Sequence, residues 1–389
     1  MPSTRAKATP VAPIKPKSAP QIEVIPLQSD VKLVIEPDDG VAPVIRGLDQ
    51  AKKSIDILIF RFDHREVEQA LLRAAGRGVR VRALIAHTNR GGEKSLRALE
   101  MRLLGAGITV ARTADDLARY HGKMIVVDES RVFILAFNFT YLDIDHSRSF
   151  GVIVEDAKLV GEAMKLFDSD ILRQSYTARH PALLISPSNS RAQLGAYIQG
   201  AKKELLIYDP NVSDSEMLKL LGERAAAGVD VKILGRAPRF ATHKLAQIRL
   251  HARVIVRDRT EVSVGSQSLR TLELDGRREV GILLRNPAVA QKVAQTFDQD
   301  WKLAADSLSV SEVESSLSQT KKIAKKVAKA MTQELPQVAE LLDLAVKEVG
   351  GDSADLHVDT EQLQDSIEEA VKRAVKEAVK EAVVSHEET

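Results

Sequence analysis

Short apolar runs alternate with amphipathic ones from Val31 to Ala305. Val31–Ile35 reads as a strand, Val41–Ala51 as a helix and Ile55–Phe60 as a buried strand. Glu66–Ala75 reads as a helix stopped by the Gly76–Gly78 stretch, and Val79–Ile85 as the next strand. Such alternation predicts an α/β protein, with sheets covered by helices.

The pattern then repeats. Ala51-Lys-Lys-Ser-Ile-Asp-Ile-Leu-Ile-Phe60 matches Ala201-Lys-Lys-Glu-Leu-Leu-Ile-Tyr208, and Gly78-Val-Arg-Val-Arg82 matches Gly228-Val-Asp-Val-Lys232, both 150 residues apart. Each half closes on a predicted helix, Leu159–Leu172 and Val289–Leu303. The second carries the only tryptophan, Trp301, at a spacing that suits core packing. A single long repeat implies two packed halves, not a solenoid. The first half carries about 20 extra residues before its histidine motif, judged from repeat spacing. They include a helix-like Glu93–Leu104, placed to wall one side of a site.

The ends differ from this body. Residues 1–30, rich in Pro, Ala, Lys and Ser, read as a disordered arm. Residues 31–177 and 178–305 are the two expected domains. Residues 306–389 read as a helical, acidic and in part disordered tail, with helices over Ser311–Leu335, Pro336–Val349 and Thr360–Val384. Val371, Val375, Val379 and Val383 give the last of these an apolar stripe, suited to self-association or to docking on the body. Lys321–Lys329 is locally basic; a solvated face is its default reading and binding to an anionic surface the sharper one.

Net charge is +2, but the tail holds 10 Lys and Arg against 18 Asp and Glu, leaving the rest of the chain 46 against 36. A basic body suits an anionic substrate. There is no cysteine, which excludes disulfides and thiolate metal sites and fits a reducing cytoplasm. No apolar run reaches the roughly 18–20 residues of a membrane span.

The strongest chemical signal is His121-Gly-Lys123-Met-Ile-Val-Val-Asp128, matched by His251-Ala-Arg253-Val-Ile-Val-Arg-Asp258. Residues two apart on a strand share a face. Each histidine therefore has a cation beside it, Lys123 or Arg253. An imidazole can attack phosphorus or give a proton, while the cation holds phosphate oxygens. Two copies supply one imidazole for each side of a phosphorus atom.

This duplicated motif resembles that of the phospholipase D superfamily, whose hallmark is a repeated His-x-Lys-x4-Asp followed by Gly-Ser-x-Asn. The resemblance spans Val31 to Ala305. It implies two similar α/β half-domains packed around one seam, with a single active site there. It also implies cleavage without cofactor or metal through a phosphohistidine intermediate. His121 and His251 would be the catalytic pair, His121 attacking and His251 protonating the leaving oxygen. Asp128 and Asp258 would be structural.

The second part of the hallmark is imperfect. Leu135-Ala136-Phe137-Asn138 keeps the Asn, and Gly265-Ser266-Gln267-Ser268 keeps Gly and Ser. Asn138, Ser266 and Ser268 are the candidate substrate-binding groups. The resemblance also implies a carboxylate that orients a histidine. Glu279, 28 residues after His251, is expected on the His251 ring; the same offset from His121 lands on Ser149. His121 is thus expected to have another partner, such as Asp145, or none.

The substrate implied is a phosphodiester, with phospholipid favoured and nucleic acid the alternative. A catalytically weak binding or scaffold protein on the same fold is the non-enzyme reading. Peripheral membrane contact and self-association through the tail are the further partners expected.

Overall fold

The structure, a computed structural model, describes residues 30–87, 93–245 and 247–313. Two compact units, Met1–Ala304 and Ala305–Thr389, divide the chain, and both histidine motifs belong to the first. The expected arm and, beyond Val313, the expected tail helices and basic segment lie outside the described residues.

The first half runs β1 (Val31–Glu36), α1 (Ala42–Asp49), β2 (Ser54–Ile59), α2 (Arg65–Gly76), β3 (Arg80–Ile85), α3 (Glu93–Gly105), β4 (Thr109–Arg112), β5 (Arg119–Tyr120), β6 (Met124–Val127), β7 (Arg131–Leu135), α4 (Tyr141–Asp145), β8 (Ser147–Val154) and α5 (Ala157–Ile171). The second runs β9 (Leu183–Ile185), α6 (Ser190–Gln199), β10 (Glu204–Asp209), α7 (Ser215–Ala226), β11 (Asp230–Gly235), β12 (Thr242–His243), β13 (Arg249–Leu250), β14 (Val254–Arg257), β15 (Glu261–Gly265), α8 (Thr271–Asp275), β16 (Arg277–Arg278), β17 (Val280–Arg285) and α9 (Pro287–Val313). Local chemistry explains the boundaries. Asp156 and Asp214 accept the first free N–H groups of α5 and α7. Gly78 and Gly228, at φ +83° and +87°, turn the chain after α2 and α7. One expectation needs correcting. The helix expected to end at Leu303 continues to Val313, because no Gly or Pro between those residues stops it.

The halves share one strand order. The first sheet runs β1-β8-β7-β6-β2-β3-β4 and the second β9-β17-β15-β14-β10-β11-β12. In both, parallel strands at one end meet antiparallel strands at the other. The largest core lies between the sheets. It joins Val126, Ile134 and Val152 of the first half to Val254, Val262 and Ile282 of the second, with apolar faces of α5 and α9 added. Separate cores lie under α1–α3 and under α6–α7. Burial on both faces favours apolar runs, as in β6 and in most of β2, β10 and β14, where the buried Asp56 of β2 is paired with Arg82.

Asp128 and Asp258 tie each motif to the repeated Ala-Lys-Lys segment. The Asp128 carboxylate accepts from the N–H groups of Lys52, Lys53 and Ser54 at 2.6–3.0 Å. Asp258 does the same for Lys202, Lys203 and Glu204. No helix among the described residues is long and apolar enough to cross a membrane.

Candidate active site

Each half lends a short strand to the other. β5 pairs in parallel with β16, and β13 with β8. The ladders continue one step: the His121 N–H donates to Arg278 O at 2.7 Å, and the His251 N–H to Arg148 O at 3.1 Å. His121 therefore lies beside Glu279, and His251 beside Ser149. The side chains of such neighbours share a face.

This geometry corrects the expected pairing. Glu279 Oε2 lies 2.9 Å from His121 Nδ1, across the seam, and not on the His251 ring. His251 Nδ1 instead faces Asp143 Oδ2 at 3.5 Å, from α4 of the first half. The carboxylates are crossed because the short strand just before each histidine pairs with a strand of the other half. Asp145 does not reach His121; it lies 3.9 Å from His64.

Both histidines line one cavity of about 410 Å³, together with Phe60, Arg119, Asn138, Arg249 and Arg253. Ser95 and Leu96 of α3 form part of its wall, as the extra length of the first half led one to expect. The Phe60 ring packs against the His121 ring, 4.5 Å between centres, and limits its rotation. Gly122, between His121 and Lys123, sits where a Cβ would come within 2.6 Å of Val280 Cγ2, so the first motif passes close to β17.

The cations differ in placement. Lys123 is fully buried behind His121, its Nζ 3.1 and 3.0 Å from the two ring nitrogens and donating to His121 O at 2.8 Å. Arg253 donates to His251 O at 3.0 Å and reaches the cavity wall. Arg249 donates to Asp143 Oδ1 at 2.7 Å.

Electrostatics follow from burial. Burial pushes the His121 pKa well below that of free imidazole, and Lys123 and Arg253 push the same way. His251 is lowered for the same first reason, with Arg253 adding to it and Asp143 opposing. Burial lowers the Lys123 ammonium to about 7, although Glu279 opposes. Glu279 is raised by burial, against the pull of Lys123. Burial acts against the Asp143 carboxylate too, but His251, the Asn138 N–H and Arg249 hold it below the usual range.

The candidate substrate-binding groups divide. Asn138 lines the cavity, and its Nδ2 donates to Asp143 Oδ2 at 2.6 Å. Ser266 Oγ accepts from the Val280 N–H at 3.1 Å. The Ser268 hydroxyl donates to the buried carboxylate of Asp209. Ser266 and Ser268 thus brace the chain around the site. Residues missed from sequence are Asp143, Arg119 and Arg249. A signal existed: Arg119 and Arg249 each stand two residues before a histidine, and Asp143 and Glu273 are 130 residues apart, as the histidines are.

Comparisons with known proteins find similarity to phospholipase D-like proteins. A family model described as "Cardiolipin synthase, PLD-like domain" matches residues 44–171. A cardiolipin synthase of Clostridium perfringens is 24% identical, over 71% of each chain. A phospholipase D of Rickettsia prowazekii is 28% identical over 34% of this chain and 63% of its own. The crystal structure of polyphosphate kinase from Porphyromonas gingivalis superposes with a TM-score of 0.59 at 17% identity, over 70% of this chain and 50% of that one, a likeness of fold.

Proposed function

The chain belongs to the phospholipase D superfamily and is a phosphodiesterase-type enzyme, and from that premise we propose that it hydrolyses or transfers phospholipid phosphodiesters between His121 and His251. The observation that carries the assignment of roles is the 2.9 Å contact of His121 Nδ1 with Glu279. A proton held between these atoms puts the ring's lone pair on His121 Nε2, the atom that would attack phosphorus as Lys123 Nζ, 3.0 Å from it, turns to a phosphoryl oxygen. This basis replaces the expectation that His121 lacks a carboxylate.

In the proposed reaction His121 Nε2 forms the P–N bond as the bond to the leaving oxygen breaks. His251 Nε2–H gives that oxygen a proton. Water, or an alcohol acceptor, then attacks the phosphohistidine, losing its proton to His251 as the P–N bond breaks. Arg253 at the cavity wall and Lys123 behind the ring offset charge on the phosphoryl oxygens. A lipid substrate is favoured by the names of the relatives and by apolar groups at the mouth. Leu142, half exposed on α4, lines the cavity.

The test is incubation with EDTA of the purified protein and three substrates: phosphatidylglycerol vesicles, bis(p-nitrophenyl) phosphate and plasmid DNA. Head-group release from the vesicles, transfer to added ethanol and an alkali-stable, acid-labile phosphoryl adduct are expected. Cleavage of DNA without lipid turnover would replace the lipid reading by the nuclease one. Binding of a diester without turnover of any would replace it by the binding-protein one.

A further inference from the structure

Two ion pairs cross the seam, one near each histidine. Arg148 of β8 pairs with Asp300 of α9, Nε with Oδ2 at 2.8 Å and Nη2 with Oδ1 at 3.2 Å. Arg278 of β16 pairs with Asp170 of α5, Nη2 with Oδ1 at 3.0 Å. Each pair thus joins a strand of one half to the closing helix of the other. The two arginines are 130 residues apart and so are the two aspartates, as the histidines are. Arg278, Asp170 and Asp300 are buried, and Arg148 also meets the exposed Asp38 at 3.0 Å. None of these residues lines the cavity that holds the histidines.

Each arginine has two further ties. Its main-chain oxygen accepts from the N–H of the other half's histidine, Arg278 O from His121 at 2.7 Å and Arg148 O from His251 at 3.1 Å. Its Nη1 donates to a main-chain oxygen of its own half, Arg148 to Glu36 at 3.0 Å and Arg278 to Ser186 at 3.2 Å. Glu36 and Ser186 are 150 residues apart, the offset of the repeat, and a proline follows each. The same three ties therefore occur twice. Successive residues of an extended chain point to opposite faces. Arg278 thus turns its side chain away from the site, while Glu279, the next residue, meets His121. Tyrosines surround both pairs. Tyr208 donates to Asp300 Oδ2 at 2.7 Å, and the Arg278 guanidinium lies 5.7 and 5.9 Å from the ring centres of Tyr120 and Tyr176.

On the reading that His121 attacks and His251 is the general acid, we propose that Arg278 and Arg148 are positioning residues, Arg278 for His121 and Arg148 for His251, each transmitting the docking of the two halves to one imidazole. A guanidinium is a rigid planar fork, so it holds an aspartate and a carbonyl at once in fixed directions. The aspartate comes from the half that owns the histidine. It draws the arginine's main chain toward that half, and the arginine's carbonyl then holds the histidine N–H. Each ring is placed by ties that close only when both halves are docked. Low local dielectric strengthens such pairs. Burial raises the Asp170 carboxyl to about 6, against the pull of Arg278, so the pair is charged at neutral pH. A misplacement of roughly 1 Å from a change remote from the chemistry can cost about 100-fold in rate, so pairs outside the cavity can govern turnover.

Asp300→Asn and Asp170→Asn keep the shape of each pair and remove its charge, outside the cavity. At about pH 7.5, Asp300→Asn should lower kcat for phosphatidylglycerol about 10–100-fold with KM little changed. It should spare a p-nitrophenyl diester, whose leaving group needs no proton from His251. Asp170→Asn should lower kcat for both substrates by a similar factor, since both need the attack by His121. Nitrogen NMR of the histidine rings reads the ties without turnover. Asp300→Asn should shift the His251 signals and leave those of His121, and Asp170→Asn should do the reverse. Arg148→Lys and Arg278→Lys keep the charge but lose the fork, and should give the same two patterns in weaker form. They decide the matter if an Asn variant does not fold. Equal losses on both substrates from Asp300→Asn, or ring signals that shift for both histidines or for neither in each variant, would overturn the proposal: the pairs would then serve only to hold the seam together. Should the unmutated protein turn over no diester, the enzymatic reading fails, and the ring signals alone decide whether each arginine places its histidine.

Discussion

His121 and His251 come from copies of one motif, yet they are held differently. His121 is fastened: Glu279 at 2.9 Å on one ring nitrogen, Lys123 at 3.0 Å from the other and Phe60 against its ring. His251 is held more loosely, with Asp143 at 3.5 Å. A nucleophile gains from a fixed ring with one free lone pair, whereas a general acid must lose and regain a proton in every cycle. The repeat sets both histidines at matching positions, but Glu279 in the second half stands where Ser149 stands in the first, so the two rings are held unequally.

The largest expected effect separates the two rings. His121→Ala should abolish turnover of every diester, roughly 10⁴-fold or more, and with it the labelled phosphoryl adduct. His251→Ala should abolish lipid turnover but still allow an aryl diester to label His121. An adduct mapped to His251 in the unmutated protein would reverse the comparison.

Next come the two carboxylates. Glu279→Gln should cost about 10²–10³-fold in kcat, since it removes a short buried contact, and Asp143→Asn only about tenfold. Steady-state rates on one lipid substrate check the order; equal losses would mean that the two rings are held alike.

The two cations should differ in pH dependence. The Lys123 ammonium, lowered to about 7 by burial, is present below that pH and lost above it. Values of kcat/KM should therefore fall as pH rises through neutrality, about tenfold per unit for one proton. Lys123→Arg, matching Arg253 of the other half, should remove this limb, because guanidinium stays charged. A limb that persists in that variant belongs to another group.

Glu36, fully buried on β1, should appear in stability. Its carboxyl is raised from 4.5 to about 8, so the folded state holds the proton more tightly than the unfolded one. The contribution is full below pH 4.5 and is lost as pH rises to about 8. Urea unfolding between pH 5 and 9 should show a decline of a few kcal/mol that Glu36→Gln removes. The smallest effect is expected from truncation after Ala305, since no motif residue lies beyond it: hydrolysis of a soluble diester should be unchanged. A folded but inactive truncated protein would place part of the machinery in the tail.

Much of the fold was legible because apolar periodicity reports burial directly. The strands at Val31, Ser54 and Arg80 and the helices α2 and α5 lie within a few residues of their expected places. The motif aspartates were legible as structural, and the repeat explains why, since each caps the start of a repeated strand. Asp143 and Arg249 were legible in principle as repeated positions, but a repeat does not say which group faces a cavity.

The chain by itself determined that there are two α/β halves, that each offers one imidazole and one cation, and which carboxyl and hydroxyl groups are near in sequence. These follow from local pattern and from comparison of the chain with itself. Tertiary structure alone decided which carboxylate serves which histidine. An offset of 28 residues points Glu279 to His251, but β5 and β13 each pair with a strand of the other half, so partners are set by strand neighbours and not by distance along the chain.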